Sequence, residues 1–233
     1  MKKKGLRISI CIIVIVCILG TLEFSGIIWH TEYFARTYKI KGLDVSHYQN
    51  TIDWDKVSKE YKFIFLKATE GEDFIDRTFD DNWEGAKDNG FLVGAYHFFV
   101  TSSSGEDQAN NFIRTVPVET GSLPAVIDIE VSKNEDKEMV RENLTVMINM
   151  IAEKYGSTPI LYVTYATYDA FIMGYFDESK IWIRDILRTP KLEDGREWVF
   201  WQYSNRGRIQ GIDTYVDINV FYGNEDELIE LTN

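Results

Sequence analysis

Asp128 and Glu130 close an apolar run, Pro124-Ala-Val-Ile-Asp-Ile-Glu130. Such a run reads as a strand of a parallel sheet buried on both faces. Residues two apart on a strand share a face, so both carboxylates are expected to point the same way. Two acids held that close repel, and burial raises the cost of ionising both. One is expected to keep its proton near neutral pH while the other ionises. A proton donor beside an anion is the pairing that hydrolysis of a glycosidic bond requires. Taken alone, an Asp-x-Glu also fits a helix cap followed by a solvated charge, so the surrounding elements must decide.

Those elements alternate. Residues 42–46, 63–68, 92–99, 124–130, 159–163 and 180–184 read as strands. Helical stretches run from Asp53 as N-cap through Lys59, from Phe79 to Asn89 with Gly90 as stop, from Glu106 to Val116, from about Asn134 to Tyr155, and from Tyr165 to Met173. The last third changes character, because the strands 198–203 and 216–221 have little helix between them. Alternating βα units imply a parallel sheet with helices outside. Sites in such folds form at the C-terminal strand ends. Polar residues recur there: Asp44, Lys67 with Glu70, His97, Asp128 with Glu130, Tyr162 and Gln202. Each has a plain alternative, such as a cap at Asp44, a surface ion pair for Lys67 and Glu70, or a core histidine at 97. Their recurrence at one end argues for a catalytic barrel mouth.

Other chemistries fit poorly. Both cysteines, Cys11 and Cys17, lie in the N-terminal apolar segment, leaving no thiol for the body. No HExxH, Gly-x-Ser-x-Gly, phosphate loop or dinucleotide fingerprint is present, so neither a metal nor a cofactor is expected. The net charge is −12, and four basic residues at the N-terminus hide a body more acidic still, which argues against nucleic acid as a partner. Those four, Lys2, Lys3, Lys4 and Arg7, precede an apolar run from Ile8 to Leu22, the pattern of a signal anchor or signal peptide. The expected organisation is an anchor over residues 1–29, a linker over 30–40 and one catalytic domain over 41–233. The protein would be membrane-anchored by a single N-terminal span with the domain outside the cytoplasm, or secreted if the segment is cleaved. A monomer is expected.

Seven blocks together resemble the family 25 glycoside hydrolases, the bacterial and phage-type N-acetylmuramidases. They are Gly42-Leu-Asp-Val-Ser-His-Tyr-Gln49 with Ile52-Asp-Trp54, Lys67-Ala-Thr-Glu-Gly71, Gly94-Ala-Tyr-His-Phe98, Ala125-Val-Ile-Asp-Ile-Glu130, Phe200-Trp-Gln-Tyr203, Gly211-Ile-Asp213 and Val216-Asp-Ile-Asn-Val-Phe221. They occur in the family's order over roughly residues 41–223. The resemblance implies an α/β fold, an irregular, flattened, TIM-like β/α barrel with fewer helices than strands. It implies cleavage of the β-1,4 bond between N-acetylmuramic acid and N-acetylglucosamine in peptidoglycan glycan strands. By position it makes Glu130 the general acid and Asp128 the partner carboxylate that orients the substrate's 2-acetamido group. It adds Asp44 and Asp217 as further acids on the cleft floor. Glu70, Tyr96, Tyr162, Trp182, Trp201 and Gln202 fall where the family binds sugar.

Two positions depart from the family pattern. Asn50 stands where a small turn residue is usual, and Arg184 where alanine is commoner. Arg184 has two readings, contact with stem-peptide carboxylates or an ion pair with Asp185 or another neighbouring acid.

Overall fold

Alternation along the strands, broken by irregularities in three of the strand registers, builds the molecule. In a computed structural model, residues 2–232 are described. Met1 and Asn233, which end the expected anchor and catalytic ranges, lie outside the described residues, as do the side chains of residues 2–6. The strands are β1 (Ile40–Val45), β2 (Tyr61–Glu70), β3 (Phe74–Ile75), β4 (Leu92–Phe98), β5 (Val126–Ile129), β6 (Ile160–Val163), β7 (Ile181–Arg184), β8 (Phe200–Gly207) and β9 (Val216–Phe221). Their order is β1-β9-β8-β7-β6-β5-β4-β2-β3, and a further β1–β2 pairing closes the sheet into a barrel with β3 outside it. From β1 through β2, β4, β5, β6 and β7 to β8 every barrel pairing is parallel, whereas β9 runs antiparallel to both β8 and β1.

Alternate residues feed two separate cores. Inside the barrel, Phe63 and Phe65 of β2, Val126 of β5, Tyr162 of β6, Trp182 of β7 and Phe200 of β8 share one cluster. Their rings touch: Phe65 lies 4.7 Å from Trp182 and Phe63 4.9 Å from Phe200, between centroids. Gly42 and Gly94 make room, since a Cβ on either would strike the Phe63 or Phe65 ring. The intervening residues, among them Ile64, Leu66, Ile127, Ile129, Ile183 and Trp201, face outward and join the larger core under the helices. Deleting one large side chain from either layer is expected to cost about 3–5 kcal/mol.

The helices are α1 (Lys2–Phe24), α2 (Glu32–Ala35), α3 (Phe79–Asp88), α4 (Gly105–Thr115), α5 (Lys137–Tyr155), α6 (Tyr165–Thr167) and α7 (Glu225–Ile229). Local chemistry sets their ends. Ser104 accepts from the Asp107 N–H at 3.0 Å to start α4, and Asp136 accepts from Met139 at 2.9 Å to start α5. Gly156, at φ 78°, stops α5. The helix expected from Asp53 is only a 3₁₀ turn, Trp54–Lys56, and Asp53 pairs with Lys56 at 2.7 Å instead of capping it. The helix expected from Tyr165 to Met173 is a short α-turn that widens into a π-turn over Tyr168–Ile172.

The N-terminal segment is not a free tether. Arg7–Phe24 has mean hydropathy 2.3 and is wholly unburied, so α1 is long and apolar enough to cross a membrane. The residues expected as a linker fold back on the barrel. Thr31 is buried and its hydroxyl donates to the Tyr203 carbonyl at 2.7 Å. Ala35 of α2 is buried as well.

Candidate active site

The barrel mouth is assembled by register. Asp128, one residue before the end of β5, lies between Phe98 of β4 and Tyr162 of β6. Tyr162 pairs with Trp182, Arg184 with Gln202, Gln202 with Asn219, and Asp217 with Asp44. Because β9 runs backwards, the N-terminal end of that strand meets the C-terminal ends of the others. That reversal delivers Asp217 to the mouth. The groove has a volume of about 610 Å³ and is lined by Asp44, Tyr96, Asp128, Glu130, Tyr162, Trp182, Arg184, Gln202 and Asp217 from the sequence-derived set. Asp128 and Glu130 therefore share one groove, with Asp128 at its floor and Glu130 exposed at its side.

The acids fall into two pairs. Burial pushes the Asp128 carboxyl well above the usual range; the neighbouring Glu130 charge adds to this, and the Lys67 ammonium opposes it. Oδ1 of Asp128 is buried and finds no hydrogen-bond partner among the described residues. An oxygen so placed suits an N–H donor brought by a ligand. The second pair is Asp44 and Asp217, directly opposite each other on antiparallel strands, where like charges repel. Burial raises the pKa of both, that of Asp217 to about 6. A hydrogen bond between the two carboxyls eases the repulsion.

Neutral groups hold these acids in place. Asn219 Nδ2 donates to Asp44 Oδ2 at 2.7 Å, and Trp182 Nε1 donates to Asn219 Oδ1 at 2.9 Å. The Tyr162 hydroxyl donates to Gln202 Oε1, and Gln202 in turn bonds Asp217. Buried Asn219 was missed in the sequence, although its two-residue spacing from Asp217 places both on one face. Tyr215, Gln49, Asn205, Thr164 and Thr167 also line the groove and were missed. Gln49 comes from a 3₁₀ turn, Thr164 and Thr167 from the cap and end of the short helix α6, Tyr215 from a loop, and Asn205 from the part of β8 beyond the strand expected at 198–203.

Three expectations need correction. Trp201 does not reach the groove. It is fully buried on the outer face, donates from Nε1 to the Asp185 carbonyl at 2.7 Å and packs on Tyr38, Trp198 and Tyr203. Adjacent strand residues face opposite ways, so Gln202 inward forces Trp201 outward. Glu70 does not line the groove either; its carboxylate accepts from Lys67 Nζ at 2.6 Å. His97 also points outward, bonded to Thr69 Oγ1 at 2.7 Å and Gln108 Oε1 at 3.2 Å, and burial lowers its pKa to about 4. Arg184 is not the partner of Asp185; the acid its charge acts on is Asp217. Asp185 takes the Tyr165 hydroxyl at 2.9 Å and Arg188 at 3.8 Å, while Arg184 lines the groove and its charge favours the ionised form of Asp217.

Comparison with known proteins adds the chemistry of relatives. The profile of glycosyl hydrolases family 25 matches residues 43–212. A solved family 25 glycosyl hydrolase from Bacillus anthracis is 47% identical, with a TM-score of 0.80 over 83% of this chain and 94% of that one. YegX from Escherichia coli O157:H7 is 38% identical over 202 residues, 84% of this chain and 74% of YegX. Lysozyme M1 from Streptomyces globisporus is 32% identical over 217 residues, 85% of this chain and 73% of that protein.

Proposed function

Since this chain belongs to glycosyl hydrolases family 25, we infer that it is a lysozyme whose barrel-mouth groove hydrolyses the β-1,4 bond between N-acetylmuramic acid and N-acetylglucosamine in peptidoglycan. The observation that carries the assignment of roles is the unpartnered, buried Oδ1 of Asp128 beside the exposed carboxyl of Glu130.

Glu130 is the general acid. Exposed at the groove wall, it can reach a glycosidic oxygen and give it a proton as the bond to the anomeric carbon breaks; a water then supplies the hydroxyl that this carbon takes, and its other proton restores the acid. Asp128 serves the other partner of that bond. Its free Oδ1 accepts the N–H of the 2-acetamido group and fixes that group beside the anomeric carbon. Its buried position makes ionisation costly until positive charge develops on the sugar. The interaction is then stronger in the transition state than in the ground state, which is the condition for acceleration. Asp44 and Asp217 extend the negative floor, with Asn219, Trp182 and Gln202 fixing their orientation. Tyr96 and Tyr162 supply apolar ring surface along the sugar path.

The N-terminal apolar helix is compatible with a signal or an anchor. The anchor reading is supported by the residues that follow, because Thr31 and Ala35 are buried against the body and little free chain remains outside the fold. The catalytic domain then works outside the cytoplasm as a monomer on glycan strands.

Mass spectrometry of fragments released from purified peptidoglycan tests the assignment. Fragments ending in reducing N-acetylmuramic acid are expected. Fragments ending in reducing N-acetylglucosamine, or turnover confined to chitin oligomers, would overturn it.

A further inference from the structure

The end of α1 is gripped by the loop that also forms the groove rim. Gly26, at φ 65°, lets the Gly26 N–H bond the Glu23 carbonyl and the Ile27 N–H bond the Leu22 carbonyl at 3.0 Å each. This is a Schellman cap, which ties Ile27 to the last turn of the helix. A Cβ at Gly26 would overlap the Arg206 carbonyl oxygen, so the cap sits directly on β8. Arg206 Nη1 donates to the Phe24 carbonyl at 2.8 Å, and Arg208 Nε donates to the Ser25 carbonyl at 2.8 Å. The Tyr215 hydroxyl donates to the same Ser25 carbonyl at 3.3 Å, and Tyr215 lines the groove. On the other side, His30 Nε2 contacts the Leu187 carbonyl at 2.9 Å, fixing the loop after β7 against the same segment.

A helix of 23 residues spans about 34 Å at 1.5 Å per residue, slightly more than the ~30 Å hydrocarbon layer. If α1 spans the bilayer, its cap lies at the headgroup level. The side chains around that cap match this medium. Ile27 is 63% and Leu187 70% exposed, and Ile28 is exposed beside them. Arg208 is an exposed cation in a chain of net charge −12, and so is Arg188, whose side chain stays 78% exposed while it pairs with Asp185 at 3.8 Å. Of the nearby acids, Glu23 is engaged by His30, while Glu32 and Glu60 share Lys41 at 3.6 and 3.9 Å.

We propose that Ile27, Ile28, Leu187, Arg188 and Arg208 form a docking surface for an anionic phospholipid bilayer. The surface rests on the anchor reading given above. It holds the barrel with the Tyr215 rim of the groove at the membrane, so the substrate taken is the glycan strand lying nearest the bilayer. Apolar side chains enter the interface while arginines meet lipid phosphates.

The test uses the full chain in nanodiscs containing phosphatidylglycerol, with Cys11→Ser and Cys17→Ser and a nitroxide on either Leu187→Cys or Val118→Cys. Val118 is an exposed residue ahead of β5, at the opposite end of the barrel. The expected reading is loss of collision with a water-soluble nickel chelate at position 187, gain of collision with lipid-dissolved oxygen there, and neither change at 118. Retention of the chain in the disc with position 187 as aqueous as 118 would overturn the docking surface and leave the anchor standing. Release of a cleaved chain from membranes of the producing cell would overturn the anchor and the docking surface together. Equal immersion in phosphatidylcholine discs would overturn the choice of an anionic lipid.

Discussion

The lower and upper halves of the barrel interior use the same strands for opposite ends. Below, inward positions hold Phe63, Phe65 and Phe200 in edge contact, excluding water. Above, inward positions of the same or neighbouring strands hold Asp44, Asp128, Gln202 and Asp217. Trp182 belongs to both, stacked on Phe65 from above while its indole N–H orders Asn219. The aromatic layer stabilises the fold and supplies a low-dielectric floor. That floor raises the carboxyl pKa values of the layer above it. Stability and chemistry are thus separated by height along each strand, and the lower layer tunes the upper one.

The sharpest way to break this separation is Glu130→Gln. Loss of the general acid is expected to lower reducing-end release from cell walls by ~10²–10⁴-fold. The melting temperature should stay put, because the side chain is exposed. Asp128→Asn should impair turnover severely as well, through the acetamido contact. Wild-type rates in either variant would remove that residue from the chemistry. Phe65→Ala strikes the lower layer and is expected to cost about 3–5 kcal/mol in denaturant unfolding. A silent groove at unchanged stability would show that the layers are not divided as described.

Asp217→Asn tests the link between layers. The folded-state pKa of Asp217 is raised from 3.8 to about 6, so its contribution to stability is present below pH 3.8 and lost as pH rises through 6. At pH 7 the neutral variant should therefore be more stable, by about 1–3 kcal/mol, with no such gain near pH 3.5. Thermal melts across that range read the effect. Equal gains at both pH values would rule out relief of a buried charge. The smallest effect is expected for Trp201→Phe, which removes the bond to the Asp185 carbonyl on the outer face and about 1 kcal/mol with it. KM for glycan should not move. A raised KM would return Trp201 to the groove.

Much of the mouth was legible because strand periodicity is local. Asp128 and Glu130 share a groove as their spacing requires; Asp44 and Tyr162 line it from near the C-terminal ends of β1 and β6, and Gln202 lines it from within β8, which runs on past the end expected at 203. The failures are instructive in the same terms. Trp201 and Gln202 are neighbours, so a single face could never hold both. His97 lies one residue from inward Tyr96 and must face out. Glu70 follows an irregularity in the β2–β4 register near Lys67 and Thr69, where alternation no longer predicts direction. Asn219 was readable from its spacing to Asp217 but carries no charge to draw attention.

By itself the sequence determined the alternation that makes two cores, the apolar N-terminal helix and the acids available to the mouth. These depend on contacts between residues a few positions apart. Only closure of the sheet decided the rest. It turned β9 antiparallel and so set Asp217 against Asp44, and it buried Asp128 more deeply than Glu130. It also pressed the cap of α1 onto the loop that carries Tyr215. Desolvation and repulsion depend on what surrounds a carboxylate in space, and those neighbours are brought from as far as 175 positions away, as with Asp44 and Asn219.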